Sequence, residues 1–281
     1  MEEKIRKRKI VLVGTGFVGM SFAYSLLSEK GINELILIDM NKDKAVGEQM
    51  DLSDGLPYAD SKMTIKAGDY DECKDADIVV VTAGAAQKPG QTRLELVTIN
   101  AKITKDVATQ IKNSGFNGIM VVASNPVDIM TYVAYRASGL PKEHVIGSGT
   151  ILDTARLRYN ISKRLGIAPS NVHAYIMGEH GDSSFVPWIH CYLGCKNLLE
   201  YIDEEDNLGL EDLQDIYMEV RNAAYEIINR KRATYYGIGL ALKRLVSCLL
   251  NDEKAILTVS TYQNGEYGRE GYYIGTPAVV G

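Results

Sequence analysis

A doubly wound parallel α/β domain followed by an α+β domain is what this 281-residue sequence predicts, on three observations. An apolar strand runs into a glycine-rich turn and a helix, and the next strand closes on a carboxylate. Apolar runs of four or more residues then recur, each followed by a helical pattern, as strands buried on both faces of a parallel sheet require. Finally, this alternation stops around Gly147, Ser148 and Gly149.

The first strand is Ile10, Val11, Leu12 and Val13, a short apolar run with no polar face. Gly14-Thr15-Gly16-Phe17-Val18-Gly19 follows, then a helical run through Leu27 and a second apolar strand over residues 35–38. Asp39 ends that strand, twenty residues after Gly19. This is a dinucleotide-binding fingerprint with both flanking strands in place. Gly14 allows the tight turn, Gly16 lets the backbone approach a diphosphate, and Gly19 lets helix and strand pack closely. The anion would rest on the unpaired amides of the helix N-terminus. Asp39 can accept from both ribose hydroxyls and would repel a 2'-phosphate, so NAD is expected rather than NADP.

A polar helix over residues 42–52 comes next, then a loop with Gly55 and Pro57, a short strand over 62–67 and the turn Gly68-Asp69-Tyr70. A strand over 78–82, a helix of about twenty residues ending near Ser114 and a strand over 118–123 continue the pattern. Ligand crevices in such sheets open at the carboxyl ends of the strands. That rule singles out the glycine turn, Asp39, Tyr70, Gly84 with Ala85, and Ser124 with Asn125. Beyond Gly149 the sequence predicts helices over 152–165, 210–228 and 236–250, and a strand pair over 256–280 turning at Asn264-Gly265. The expected division is an NAD-binding domain, 1–148, and a catalytic domain, 149–281, packed together without a flexible linker.

Composition excludes several function classes. With 46% hydrophobic and 24% charged residues the chain has the make-up of a soluble globular protein, and a net charge of -5 argues against a nucleic-acid partner. No run of eighteen apolar residues exists to span a membrane. The basic start, with Arg6, Lys7, Arg8 and Lys9, has no apolar region behind it and leads straight into the first strand, unlike a signal peptide. Cys191 and Cys195 could share a helical face, but no His or Cys stands at ligand spacing, so no metal site is expected. A reduced, cytoplasmic protein is the simplest reading of the four cysteines.

Three features carry chemistry. The loop from Gly84 to Arg93 leaves a buried strand, holds Pro89 and Gly90, and ends in a cation at a helix start, the make-up of a lid. Asp153 and Arg156 lie three apart at the start of a helix and so share a face, where a guanidinium can hold a carboxylate bidentately. His180 lies in the turn Gly178-Glu179-His180-Gly181-Asp182, not on a periodic element. An imidazole there suits reversible proton transfer near neutrality.

Five motifs, in order, give the chain its resemblance. They are the glycine turn at 14–19, Ser124-Asn125-Pro126-Val127-Asp128, Leu152-Asp153-Thr154-Ala155-Arg156, Gly178-Glu179-His180-Gly181-Asp182-Ser183 and Ala233-Thr234-Tyr235-Tyr236-Gly237. From residue 10 to residue 280 the sequence resembles the L-lactate dehydrogenases of the lactate and malate dehydrogenase family, especially the bacterial branch. The resemblance implies reversible hydride transfer between NADH and pyruvate. It makes His180 the proton donor and acceptor, Asp153 its orienting partner, Arg156 the anchor of the substrate carboxylate and Arg93 the group that polarises the carbonyl from the lid. Asn125 and Thr234 would line the pocket, and Gln87 would face the substrate side chain. Around NAD it places Gly14, Gly16, Phe17, Val18, Gly19, Asp39, Lys44, Tyr70, Gly84, Ala85, Ala123 and Ser148. It also makes Arg158 and His173 an allosteric pair binding fructose 1,6-bisphosphate across a subunit interface of a homotetramer, more strongly at acid pH. The rivals within this resemblance are a malate dehydrogenase and a catalytically impaired NAD-binding descendant. Family members usually continue past the segment matching Pro277-Ala278-Val279-Val280 with another strand and a long helix beside the active site, whereas this sequence stops at Gly281. A chain ending there is expected to keep NADH affinity and lose pyruvate turnover.

Overall fold

The computed structural model describes residues 7–85, 93–204 and 208–281, the side chains of Arg93, Asp203 and Glu204 excepted. In its first half β1 (Lys9–Val13), β2 (Glu34–Ile38), β3 (Thr64–Ala67), β4 (Ile78–Val81), β5 (Ile119–Val122) and β6 (Val145–Gly147) alternate with α1 (Phe17–Leu26), α2 (Lys42–Gly55), α3 (Arg93–Asn113) and α4 (Val127–Ser138). The strands are parallel in the order β3-β2-β1-β4-β5-β6. Their register aligns Val13 with Ile38 and Val81, and Val81 with Val122, so the strands end in one row. That row is what brings Gly14, Asp39, Thr82 and Ala123 to a single edge.

Strand alternation divides the core. Ile10, Leu12, Leu35 and Leu37 pack on one face with Phe22 and Leu26 of α1, and Val11, Val13, Ile36 and Val79 on the other with Val107 and Ile111 of α3. Each such side chain taken out of water contributes about 1.5–3 kcal/mol. Burial on both faces therefore favours the parallel sheet that the apolar runs predict. Helix α4 adds an element the strand pattern left out, and its Met130 and Ala134 complete the second cluster.

The second half comprises α5 (Ile151–Leu165), β7 (Val172–His173), β8 (Tyr192–Leu193), β9 (Lys196–Asn197), α6 (Leu198–Glu204), α7 (Leu210–Lys231), α8 (Tyr236–Leu250), β10 (Ala255–Asn264) and β11 (Glu270–Val280). Leu157 and Ile161 of α5 meet Ile216 and Val220 of α7 and Val172 of β7 in a third cluster. The antiparallel hairpin β10–β11 joins the first sheet through Ser260 opposite Gly147, giving eight strands in all, and α8 packs its Leu242 and Leu245 on the α1 side. The sheet thus runs across residue 148.

Several local expectations need correction. The hairpin turns at Asn264-Gly265, but through a wide connection: Asn264 pairs with Glu270 after a register shift between Tyr262 and Asn264, and Gly265 and Gly268 take φ of +107° and +72°. Cys191 and Cys195 lie on no common helix, Cys191 being buried and Cys195 exposed beyond β8. Burial pushes the thiols of Cys73 and Cys191 up to about 12. Lys9 belongs to the interior, not to a solvated basic run: it is 5% exposed, with Nζ at 2.6 Å from Glu72 and 2.7 Å from Asp75. Among the described residues no helix is long and apolar enough to cross a membrane, and no cluster of three or more His, Cys, Asp or Glu has the geometry to hold a metal.

Candidate active site

The glycine turn sits where the row of strand ends opens. Gly14 takes φ +104°, and a Cβ there would lie 2.7 Å from the Ala83 nitrogen; a Cβ at Gly19 would lie 2.1 Å from the Gly14 oxygen. Both positions therefore need glycine for the protein's own packing. Gly16 differs: a Cβ there would meet nothing within 4 Å, and this open backbone adjoins the N-terminus of α1. Asp39 is fixed beside it. Its Oδ2 accepts from the Thr15 amide and hydroxyl, each at 2.8 Å, and its Oδ1 accepts from the Asn41 amide at 3.0 Å. Burial works against ionisation of Asp39, but those donors and the Lys44 ammonium outweigh it and hold the carboxyl below its usual range. Lys44 in turn donates to the Thr15 carbonyl. The free backbone of Gly16, the α1 amides and an ionised Asp39 fit a dinucleotide with unphosphorylated ribose.

The other expected cofactor residues follow the sheet edge. Ala123 and Ser148 donate their amides to Val81 and Val122, so both continue their strands into the cleft, and Gly84 lies against Asn100. Tyr70 is half-buried, its phenol pushed up to about 12 by burial first and then by nearby Cys73 and Asp39. Val18 packs on the core from the first turn of α1, whereas Phe17 is 73% exposed and stacks on Tyr235 at 5.3 Å. Ala85 donates its amide to Asn100 Oδ1 at 2.8 Å.

A cleft of about 600 Å³ brings together Asn125 from ahead of α4, Asp153 and Arg156 from α5, and His180 from its turn, three separate segments. Asp153, 8% exposed in the first turn of α5, uses both oxygens: Oδ2 meets His180 Nδ1 at 2.6 Å and Oδ1 accepts from Arg156 Nη1 at 3.1 Å. The bond at Nδ1 orients the ring and leaves Nε2 for the cleft. Burial disfavours the imidazolium, yet the bond and charge of Asp153 outweigh it and raise the His180 pKa above 6.5. The same contacts, with Arg156, hold Asp153 below its ordinary value despite its own burial. The histidine turn is pinned from outside by Gly178, whose amide and carbonyl pair with Gly275 of β11 at 2.9 and 3.1 Å.

Not every expected residue enters this cleft. Thr234, just ahead of α8, does not line it. Gln87 and the side chain of Arg93 fall outside the described residues. Arg158 faces away from Arg156, its Nε donating to the Ala174 carbonyl at 3.0 Å and its guanidinium lying 4.9 Å over the Tyr175 ring, beside exposed His173. Sequence reasoning missed Asn100, which is 3% exposed and ties the cleft floor together by donating to the Asn125 carbonyl at 2.8 Å. An amide on the buried side of an amphipathic helix was its available signal. Leu96 of α3 and Val220 and Tyr225 of α7, which wall the cleft, carried none.

Comparison with known proteins decides the lineage. Residues 8–147 match the lactate/malate dehydrogenase NAD binding domain and residues 150–281 the lactate/malate dehydrogenase alpha/beta C-terminal domain. The chain belongs to the lactate/malate dehydrogenase family. It is 54% identical over 277 residues to an L-lactate dehydrogenase 2 of Lactococcus lactis subsp. lactis, covering 99% of this chain and 88% of that protein. The L-lactate dehydrogenase 2 of Enterococcus faecalis is 54% identical over 278 residues, with the same coverage. Among solved structures, a lactate dehydrogenase from a Medee basin deep-sea metagenome library superposes with a TM-score of 0.95 at 55% identity, covering 98% of this chain and 88% of that one. The minor L-lactate dehydrogenase of Enterococcus mundtii, in its ligands-bound form, gives 0.95 at 51% with the same coverage. This member of the family is an NAD-dependent oxidoreductase that interconverts pyruvate and L-lactate reversibly, in the setting of glycolysis and fermentation.

Proposed function

We propose that His180 exchanges the proton of this reaction, oriented by Asp153, with Arg156 holding the substrate carboxylate and Arg93 stabilising charge at the carbonyl oxygen. The observation that carries the reading is the Asp153 carboxylate, which bridges an imidazole at 2.6 Å and a guanidinium at 3.1 Å on one cleft wall. When bound, NADH supplies the hydride that reaches C2 of pyruvate. The residues of this chain do the rest. Negative charge growing on the carbonyl oxygen is met by the Arg93 cation and by a proton from imidazolium Nε2. Asp153 stabilises the imidazolium and fixes its tautomer, so the same nitrogen accepts the proton back when lactate is oxidised. Asn125 serves as a pocket residue, and Gln87 meets the substrate methyl. The dinucleotide is held by Gly14, Gly16, Phe17, Val18, Gly19, Asp39, Lys44, Tyr70, Gly84, Ala85, Ala123 and Ser148. Following NADH absorbance with pyruvate and with oxaloacetate, for wild type and His180→Asn, tests the scheme. Loss of turnover in the variant with NADH binding retained is expected. Turnover near wild type would remove His180 from its role, and faster oxaloacetate than pyruvate reduction would favour the malate enzyme.

We further infer a cytoplasmic homotetramer with neither nucleic acid nor membrane as partner, activated by fructose 1,6-bisphosphate at Arg158 and His173. Support comes from the place of these residues: Arg158 is turned from the catalytic cleft onto Ala174, next to the exposed His173. Subunits that each bring an Arg and a His together repel, and a bisphosphate relieves that repulsion, shifting the population toward the competent assembly. Pyruvate saturation curves should shift to lower concentration with the bisphosphate, more at pH 6 than at pH 7. Identical curves at both pH values would exclude the site.

A further inference from the structure

The turn that carries His180 rests on a second carboxylate, one the scheme above does not use. Asp128, in the first turn of α4, accepts from the His180 backbone amide at Oδ2, 3.2 Å, and from the Ser260 hydroxyl of β10 at Oδ1, 2.5 Å. These bonds connect residues 52 and 132 positions apart, so the contact is made by the fold and not by the local chain. Among the described residues no lysine or arginine forms a salt bridge with Asp128. Burial pushes its pKa up, against the Ser260 hydroxyl and the His180 amide and charge.

Counting charge around the imidazole shows why this matters. Asp153 is already engaged by Arg156 at 3.1 Å, so together the two present His180 with a pair of near-zero net charge. Asp128 adds a negative charge at the His180 backbone amide, and it favours the protonated ring. Among the described residues, the remaining charged or titratable groups on the cleft are Glu179 and Asp182 of the same turn, and Arg221 and Tyr225 of α7. We propose that Asp128, seated on Ser260, is a positioning residue for proton transfer: its backbone bond fixes the turn, and its charge is the second counter-ion of the imidazolium. This rests on the reading of His180 as the proton carrier.

The sign follows from which form of His180 each direction needs. Pyruvate reduction uses the imidazolium and fades as pH rises; lactate oxidation uses the neutral ring and fades as pH falls. Removing the Asp128 charge displaces both limbs toward acid. The test is kcat/KM in both directions across pH for the full chain as wild type, Asp128→Asn, Ser260→Ala and His180→Asn. Asparagine keeps the shape and one acceptor oxygen. We expect Asp128→Asn to lose about tenfold in pyruvate reduction at the alkaline end while approaching wild type at the acid end. Lactate oxidation should begin its rise at lower pH than in wild type. Damage that is merely structural would depress both directions at every pH. Ser260→Ala, which leaves the carboxylate in place without its hydroxyl donor, should move the limbs the same way by less. It carries the test if Asp128→Asn does not fold, together with an NMR titration of the four histidines that reads His180 directly. Limbs that stay in place or move toward alkali overturn the proposal, whatever the loss of rate. A limb that persists in His180→Asn overturns instead the assignment of His180, so the two failures are distinguishable.

Discussion

Asp153→Asn separates the two tasks of the carboxylate beneath the catalytic cleft. Asp153 spends one oxygen on His180 Nδ1 and the other on Arg156 Nη1, at 2.6 and 3.1 Å. Asparagine has a single acceptor oxygen, so either the imidazole or the guanidinium loses its partner, and the amide NH2 then faces a cation. A hydrogen bond to a charged group contributes about 1.5–3 kcal/mol. With tenfold in rate for each 1.4 kcal/mol or so, its loss should lower kcat/KM for pyruvate by roughly ten- to a hundredfold. The pH limb should move as well. Burial disfavours the charged ring, and Asp153 supplies the larger part of what outweighs it, so the variant ring gives up its proton at lower pH. Pyruvate reduction should therefore fade from a more acid point, while NADH affinity, set at the glycine turn and Asp39, stays within about twofold. Initial rates from NADH absorbance across pH, with NADH binding followed by fluorescence, give all three quantities. A loss under threefold with an unmoved limb would refute the reasoning, because the 2.6 Å contact would then carry no charge stabilisation.

Two further outcomes follow from other positions. Gln87→Arg should swing preference from pyruvate to oxaloacetate, since a neutral amide accepts a methyl group whereas an arginine pairs a second carboxylate, a difference of about 1–3 kcal/mol; an unchanged ratio of kcat/KM values would remove Gln87 from specificity. Arg232→Gly should stabilise the fold by roughly 0.5–1 kcal/mol, because Arg232 caps α7 with φ +69° in the left-handed region that costs a side-chain-bearing residue more than the entropy glycine adds to the unfolded chain. Urea unfolding reads this, and a midpoint at or below wild type would count against it.

What the sequence disclosed and what it withheld divide along a physical line. The segment from β1 to Asp39 was legible because its constraints are local: a strand buried on both faces, a turn, a helix and a second strand leave their mark within thirty residues. The pairing of Asp153 with His180 was legible in the residues only as types in suggestive settings, and as a pair only through the family resemblance, because the two are 27 positions apart and are joined by the fold. Lys9 read as the end of a basic tail, since the acids that make it an interior residue, Glu72 and Asp75, are more than sixty positions away. The hairpin β10–β11 gave no sign of the sheet it joins, because one pair, Ser260 with Gly147, makes the junction. Asn100 and Asp128 were hidden for the same reason, their partners being fixed by tertiary packing.

The fingerprint itself shows how such a local signal should be weighed. Two of its three glycines answer to the protein alone: at Gly14 and Gly19 an added Cβ would come within 2.7 and 2.1 Å of backbone atoms that cannot move cheaply. Any tightly packed strand-turn-helix unit would ask for them, ligand or none. Only Gly16, with ordinary φ of -74° and nothing within 4 Å of a built Cβ, is glycine for a reason outside the chain. The information about a dinucleotide therefore sits in Gly16 and in Asp39. Two substitutions expose the difference. Gly19→Ala should destabilise the fold by about 1–3 kcal/mol through overpacking. Gly16→Ala should melt with wild type and yet weaken NADH roughly tenfold, about 1.4 kcal/mol, because the methyl group occupies the approach of the diphosphate. Unaltered NADH affinity in a folded Gly16→Ala enzyme would mean that the diphosphate does not come against this backbone, and the glycine pattern would then report packing only.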